Sequence, residues 1–112
     1  MEIKSIIFRF DCGPYIGMGH ASRCIAIASE LRRNGHKCVI ALRESSVNWL
    51  KKNLLQDFKT VVLFDERELF QLLDDSKIVA PHVLVVDHYG DARTNLLAPS
   101  FKSTYKVLIS DV

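Results

Sequence analysis

The stretch IKSIIFRFDCGPYIGMGHASRCIAIASELRRNGHKCVIALR, residues 3–43, reads as strand, loop, helix and strand in succession. Ile3 to Phe10 is a run of β-formers and reads as a mostly buried first strand. A loop from Asp11 to Gly17 follows, broken by Gly13-Pro14. From Gly19 or His20 a helical stripe begins. Ala21, Cys24, Ile25, Ala28 and Leu31 recur at three- and four-residue steps. Arg32 and Arg33 suit the negative end of the helix dipole, and Gly35 is a natural residue just past the cap. Lys37 to Arg43 is then a second strand, centred on Val39, Ile40, Ala41 and Leu42.

Outward from this unit the alternation continues. Ser45 or Ser46 is a candidate cap for a second helix reaching about Gln56, with Val47, Leu50, Leu54 and Leu55 apolar. Thr60 to Phe64 reads as a third strand. Asp65 can cap a short helix from Glu66 to about Ser76, with Leu69, Leu72 and Leu73 inward, and Pro81 stops what precedes it. His82 to Val86 is the fourth strand, Asp91 to Ser103 a weak helix or loop, and Lys106 to Ser110 the fifth strand. Alternating apolar strands and helices predict an α/β, Rossmann-like, doubly wound parallel sheet. The expected strand order is 3-2-1-4-5. No repeat, low-complexity stretch or linker interrupts it.

Composition narrows the class. The chain has 112 residues, 48% hydrophobic and 25% charged, which are globular values and too few residues for two cores. We therefore expect a single domain over 1–112. A net charge of +2 makes no case for a nucleic-acid or anionic-membrane partner. The longest apolar stretches are strand-length, so no membrane span is expected. Met1-Glu2-Ile3-Lys4 lacks the layout of a secretion signal. Cys12, Cys24 and Cys38 form no CxxC pair, which supports neither zinc nor a disulfide framework. They read as small hydrophobes in a reducing compartment, and a cytoplasmic location is expected.

In such sheets ligands bind beyond the carboxyl ends of the strands, where the winding reverses. With this order that point lies between strands one and four, which brings Asp11–His20 beside Asp87–Gly90. Gly17 and Gly19 let backbone approach a ligand closely, and the helix start behind them favours an anion such as phosphate. His20 falls in the first helical turn, where the dipole disfavours a charged imidazole and leaves a candidate general base. The bland alternative is a glycine-rich turn with a packed histidine. Gly17-x-Gly19-x-x-Ser22 is a poor dinucleotide fingerprint: the third glycine is missing and the first stands about seven residues past the strand, although Glu44 could serve as the ribose acid.

Asp87-His88-Tyr89-Gly90 is polar where an apolar strand stops; its bland alternative is a solvated Asx turn. Arg9 and Asp11, two apart, point to one side and can pair. Arg23, three residues after His20, can meet a phosphate or solvent. His36 and His82 read as structural, Lys51-Lys52 as a solvated helix face, and Trp49 with Leu50 as core or cover. No HExxH, GxSxG, Walker A or paired-carboxylate pattern is present.

Phe8-Arg9-Phe10-Asp11, then Ile16-Gly17-Met18-Gly19-His20, then Arg23 resemble the start of nucleotide-sugar hydrolases of pseudaminic acid biosynthesis. Those enzymes cleave UDP-2,4-diacetamido-2,4,6-trideoxy-β-L-altropyranose to UDP and free sugar, and spore-coat polysaccharide proteins share the pattern. Asp87–Gly90 resembles the family's second signature and Ser110-Asp111 its next acidic strand end. The resemblance implies the N-terminal half of a GT-B fold, with His20 as the base that activates water, inversion at the anomeric carbon, and no metal or cofactor. It implies Tyr89 near the sugar, with Arg9, Asp11, Gly17, Gly19, Arg23, Asp87 and His88 in substrate binding. A second Rossmann-like domain, in cis or trans, is expected to supply most UDP contacts, and this chain alone is expected to be inactive. The alternatives are half of a GT-B glycosyltransferase, since lipid-II-type members carry similar glycines, and a non-catalytic Rossmann-like binding module.

Overall fold

The computed structural model describes residues 3–14, 17–50, 52–65, 82–87 and 104–109. Strand β1 (Ser5–Phe10) is followed by helix α1 (Gly19–Arg33), β2 (Lys37–Arg43), α2 (Glu44–Trp49), α3 (Lys52–Leu55), β3 (Lys59–Leu63), β4 (Val83–Asp87) and β5 (Tyr105–Leu108). The five strands form one sheet in the order β3-β2-β1-β4-β5. All four pairings are parallel. This is the Rossmann-like α/β arrangement expected from the alternation.

Register explains the core. Ile6, Phe8 and Phe10 share a sheet face with Cys38, Ile40 and Leu42 of β2 and Val85 of β4, through the pairs Ile6↔Cys38, Phe8↔Ile40 and Phe8↔Val85. Ala21, Cys24 and Ala28 of α1 pack on that face. Small side chains at these helical positions let α1 lie close to the large strand residues. The opposite face, with Ile7, Leu84 and Val86, is buried as well, as a parallel sheet requires.

The end of α1 follows its sequence signals. Gly35 has φ +92°, its N–H donates to Arg32 O at 3.0 Å, and His36 N–H donates to Leu31 O at 3.1 Å. That pair of bonds is a Schellman motif, and glycine relieves the Cβ clash at the left-handed position.

The second helix departs from its reading. Neither Ser45 nor Ser46 caps it: Arg43 is the N-cap, extended and without a side-chain cap bond. The Asp11 carboxylate takes over, accepting Arg43 N–H at 2.9 Å and the Ser46 hydroxyl at 2.7 Å. The helix also breaks at Leu50, where ψ is 143°. The break turns Leu50 into the core at 6% exposure and leaves Trp49 half exposed, at 50%. Of the two expected places, core or cover, Leu50 takes the core and Trp49 does not. The expected helix over 66–76, the segment 91–103, Lys51 and Ser110-Asp111 lie outside the described residues.

Candidate functional site

The carboxyl ends of β1 and β4 are neighbours, with Phe10 opposite Asp87. This register puts Asp87 on the sheet face that α1 covers. The chain leaves β1, turns at Asp11–Pro14, and returns through a bridge in which Gly17 N–H donates to Gly13 O at 2.7 Å. Gly17 has φ +79°, a left-handed conformation that costs a residue with a Cβ about 1–2 kcal/mol. Helix α1 begins two residues later. Met18 caps it without a side-chain bond, and no acidic residue occupies the first turn. The positive end of the helix dipole is thus left uncompensated by its own segment.

Gly19 is already helical, and a Cβ built there meets nothing within 4 Å. Packing within the described chain therefore gives no reason for glycine at this position.

The first turn carries His20 and the second Arg23, and both reach Asp87. His20 Nδ1 makes a short contact with Asp87 Oδ1. Arg23 Nε makes one with Asp87 Oδ2, and its Nη2 donates to Oδ1 at 2.5 Å. Asp87 is fully buried and His20 is 7% exposed, whereas the Arg23 side chain is 31% exposed. Contact with a carboxylate places the ring proton on Nδ1 and leaves Nε2 as the basic nitrogen. Arg23 Nη2 lies 3.2 Å from Nδ1. With Nδ1 protonated this is donor facing donor, and the Asp87 charge between them makes it tolerable.

Burial works to raise the Asp87 pKa. Hydrogen bonds from Arg23 and His20, together with their charge, outweigh it and hold the carboxyl below its ordinary range. Cys24 lies under the same carboxylate, its thiol donating to Asp87 Oδ2 at 3.6 Å. Burial first, then the Asp87 charge and hydrogen bond, push this thiol well above the usual range against the opposing Arg23 charge. Among the described residues no group of three His, Cys, Asp or Glu stands together as a metal cluster.

Arg9 and Asp11 form a second buried pair beneath this loop. Their ion pair measures 2.9 Å, with Arg9 at 0% exposure. Arg9 Nη1 also donates to Phe10 O at 2.8 Å. Through Asp11 the pair ties the end of β1 to the start of α2. The structure thus gathers His20, Arg23 and Asp87 at one point, with Gly17 and Gly19 beside them. It sets Arg9 and Asp11 in the scaffold below. His88, Tyr89 and Gly90 lie outside the described residues. Sequence reading offered Ser46 only as a helix cap and missed its place here, where its hydroxyl accepts Cys12 N–H at 3.1 Å while donating to Asp11. Nothing local marks it, because both partners stand more than thirty positions away.

No protein-family model matches the chain, and no curated protein does. Among solved structures the chain is similar to a glycosyltransferase from Rickettsia africae ESF-5, with a TM-score of 0.68 and 12% identity. The fold is shared. The match covers 100% of this chain and 32% of that protein, so the chain spans about a third of its neighbour's length. No helix among the described residues is long and apolar enough to cross a membrane.

Proposed function

We propose that this chain forms the acceptor-side half of a GT-B enzyme that transfers a sugar from a nucleotide sugar, with His20 as its general base. The observation that carries the reading is the His20–Asp87–Arg23 constellation at the sheet's switch point, in front of an uncapped helix start. In the step, His20 Nε2 takes the proton of an acceptor hydroxyl. The new bond forms at the anomeric carbon as the bond to the diphosphate oxygen breaks, and the nucleoside diphosphate leaves with the electron pair. Asp87 holds the ring in its tautomer and compensates the charge that builds on it. Arg23 Nε and Nη2 hold Asp87 in turn, which makes Arg23 a positioning residue on this side of the cleft. Gly19 and the first-turn N–H groups approach the substrate's anionic or hydroxyl groups. Arg9 with Asp11 braces this wall. A second Rossmann-like domain, in cis or trans, supplies the other wall.

The glycosyltransferase neighbour favours an acceptor hydroxyl as the nucleophile. The motif resemblance favours a second reading, in which water takes that place and the enzyme is a UDP-sugar hydrolase of surface-polysaccharide or nonulosonic acid synthesis. The two are separated by product analysis of the chain combined with its second domain. Release of UDP from a UDP-sugar only when an acceptor is present, with a new glycoside formed, supports transfer. Release of free sugar at the same rate without acceptor supports hydrolysis. Wild-type turnover in both His20→Ala and His20→Gln would sink the base assignment under either reading.

A further inference from the structure

A groove of about 790 Å³ opens at the opposite, amino-terminal edge of the sheet. It takes no part in the site above. Parallel strands all begin at one edge, so cations far apart in sequence converge there. Lys4 precedes β1, Lys37 opens β2 and Lys59 opens β3, within three residues of one another in register. Arg32 joins them from the last turn of α1, and Asp57 is the acidic residue of the lining. These lining residues hold an excess of three positive charges, more than the +2 of the whole chain. Ile3, Cys38 and Val39 give the groove an apolar part.

His36 and His82, which read as bland in sequence, complete the groove. His36 Nδ1 accepts Lys4 N–H at 3.0 Å, and His82 Nδ1 accepts Ser5 N–H at 3.1 Å. A ring nitrogen that accepts carries no proton, so each neutral ring bears its N–H on Nε2. Both rings are anchored to the backbone at the start of the central strand. They are donors set in place before any ligand arrives, which lowers the ordering cost of binding.

We propose that this groove is a second site, for a small phosphate-bearing molecule. The volume lies within the range of small-ligand pockets, about 300–1,000 Å³. Cations drawn from three strand starts and a helix end surround one concavity, which suits a compact, multiply charged anion with an apolar or ring-bearing body. A long acidic partner would call for a stripe of charge along one face. The proposal does not depend on the sugar-transfer reading, because the groove and the His20 cluster occupy opposite sheet edges.

The test is an NMR titration of the ¹⁵N-labelled chain with inorganic pyrophosphate, at low and at physiological salt. Saturable shifts are expected at the Lys4, Ser5 and Lys37 amides and at Nε2 of His36 and His82, weakening with salt. Lys37 and Lys59 are both exposed, so Lys37→Glu with Lys59→Glu should leave the spectrum folded. It should weaken pyrophosphate by about tenfold or more, the loss of one to two charge-assisted contacts. His20→Gln should leave the titration unchanged. Shifts confined to Gly17–Arg23, shifts that never saturate, or equal affinity in the double variant would overturn the proposal. So would binding of a glutamate-rich peptide under conditions where pyrophosphate does not bind.

Discussion

Asp87→Asn tests the constellation at its centre, because one buried carboxylate serves both His20 and Arg23. The substitution keeps the shape, removes the charge and turns an NH₂ donor toward donors. Charge-assisted hydrogen bonds contribute about 1.5–3 kcal/mol each. The His20 contact is buried and counts in full, whereas the Arg23 side chain at 31% exposure recovers part of its loss in solvent. Removing one partner of a buried pair costs about 3–5 kcal/mol, and the discount for Arg23 lowers the expectation to about 2–4. A chain of 112 residues has about 6–17 kcal/mol in hand, so the variant folds at 25 °C. Urea unfolding followed by circular dichroism should show a midpoint lower by about 1–2 M, for a slope near 2 kcal/mol per M.

The pH dependence sharpens this test. The folded-state pKa of Asp87 lies below its ordinary value, so between the two values the unfolded chain binds more protons than the native one. Stability from Asp87 is then complete above about pH 5 and falls away as the pH drops through about 3.9 toward the folded value. The difference between wild type and Asp87→Asn should be largest above pH 5 and shrink in acid. A difference under about 1 kcal/mol at neutral pH, or one that persists undiminished at low pH, refutes the reasoning.

The two glycines of the turn should separate structure from function. Gly17→Ala forces a Cβ into φ +79° and should cost about 1–2 kcal/mol by urea unfolding. Gly19→Ala, helical and facing open space, should leave the midpoint unchanged or slightly raised while lowering kcat/KM of the assembled enzyme. Arg9→Met should cost about 3–5 kcal/mol by leaving Asp11 buried beside an apolar chain. In a double-mutant cycle, adding Asp11→Asn should cost less than the sum of the two single changes. Cys12, Cys24 and Cys38 are buried, and burial raises each thiol pKa. Iodoacetamide at neutral pH should label them far more slowly in the folded chain than in urea, as mass spectrometry would show.

The elements legible in the sequence were those whose cause is local. The stripe from Ala21 to Leu31, the Gly35 stop and the apolar centre of β2 each signal within a few residues, and the structure has them there. The strand order followed from general rules of connection rather than from any one residue. The second helix was misread because its start is tied to Asp11, more than thirty positions away, rather than capped by a serine, and because it breaks at Leu50. The site shows the same division. The convergence of Gly17–His20 with Asp87 follows from fold class alone. That Asp87 touches both His20 and Arg23 follows from the register Phe10↔Asp87, which no pattern in either segment specifies.

The same register gives the two buried acids opposite tasks. Asp11 continues the Arg9 side of β1, the face opposite Phe8 and Phe10, and its partners are the Arg9 guanidinium and the backbone and hydroxyl that start α2. Asp87 pairs with Phe10 on the α1 face, and its partners are two titratable or cationic side chains on the first turns of that helix. An acid that holds backbone groups fixes where a segment lies. An acid that holds an imidazole fixes which nitrogen is basic. Both stand at carboxyl ends of neighbouring strands, and sequence alone gives them equal claim to the chemistry. The parity of the strand separates them, because a one-residue slip of β4 against β1 would put both acids on the same face. Under the proposed mechanism the role of His20 as base therefore depends on the Phe10↔Asp87 pairing.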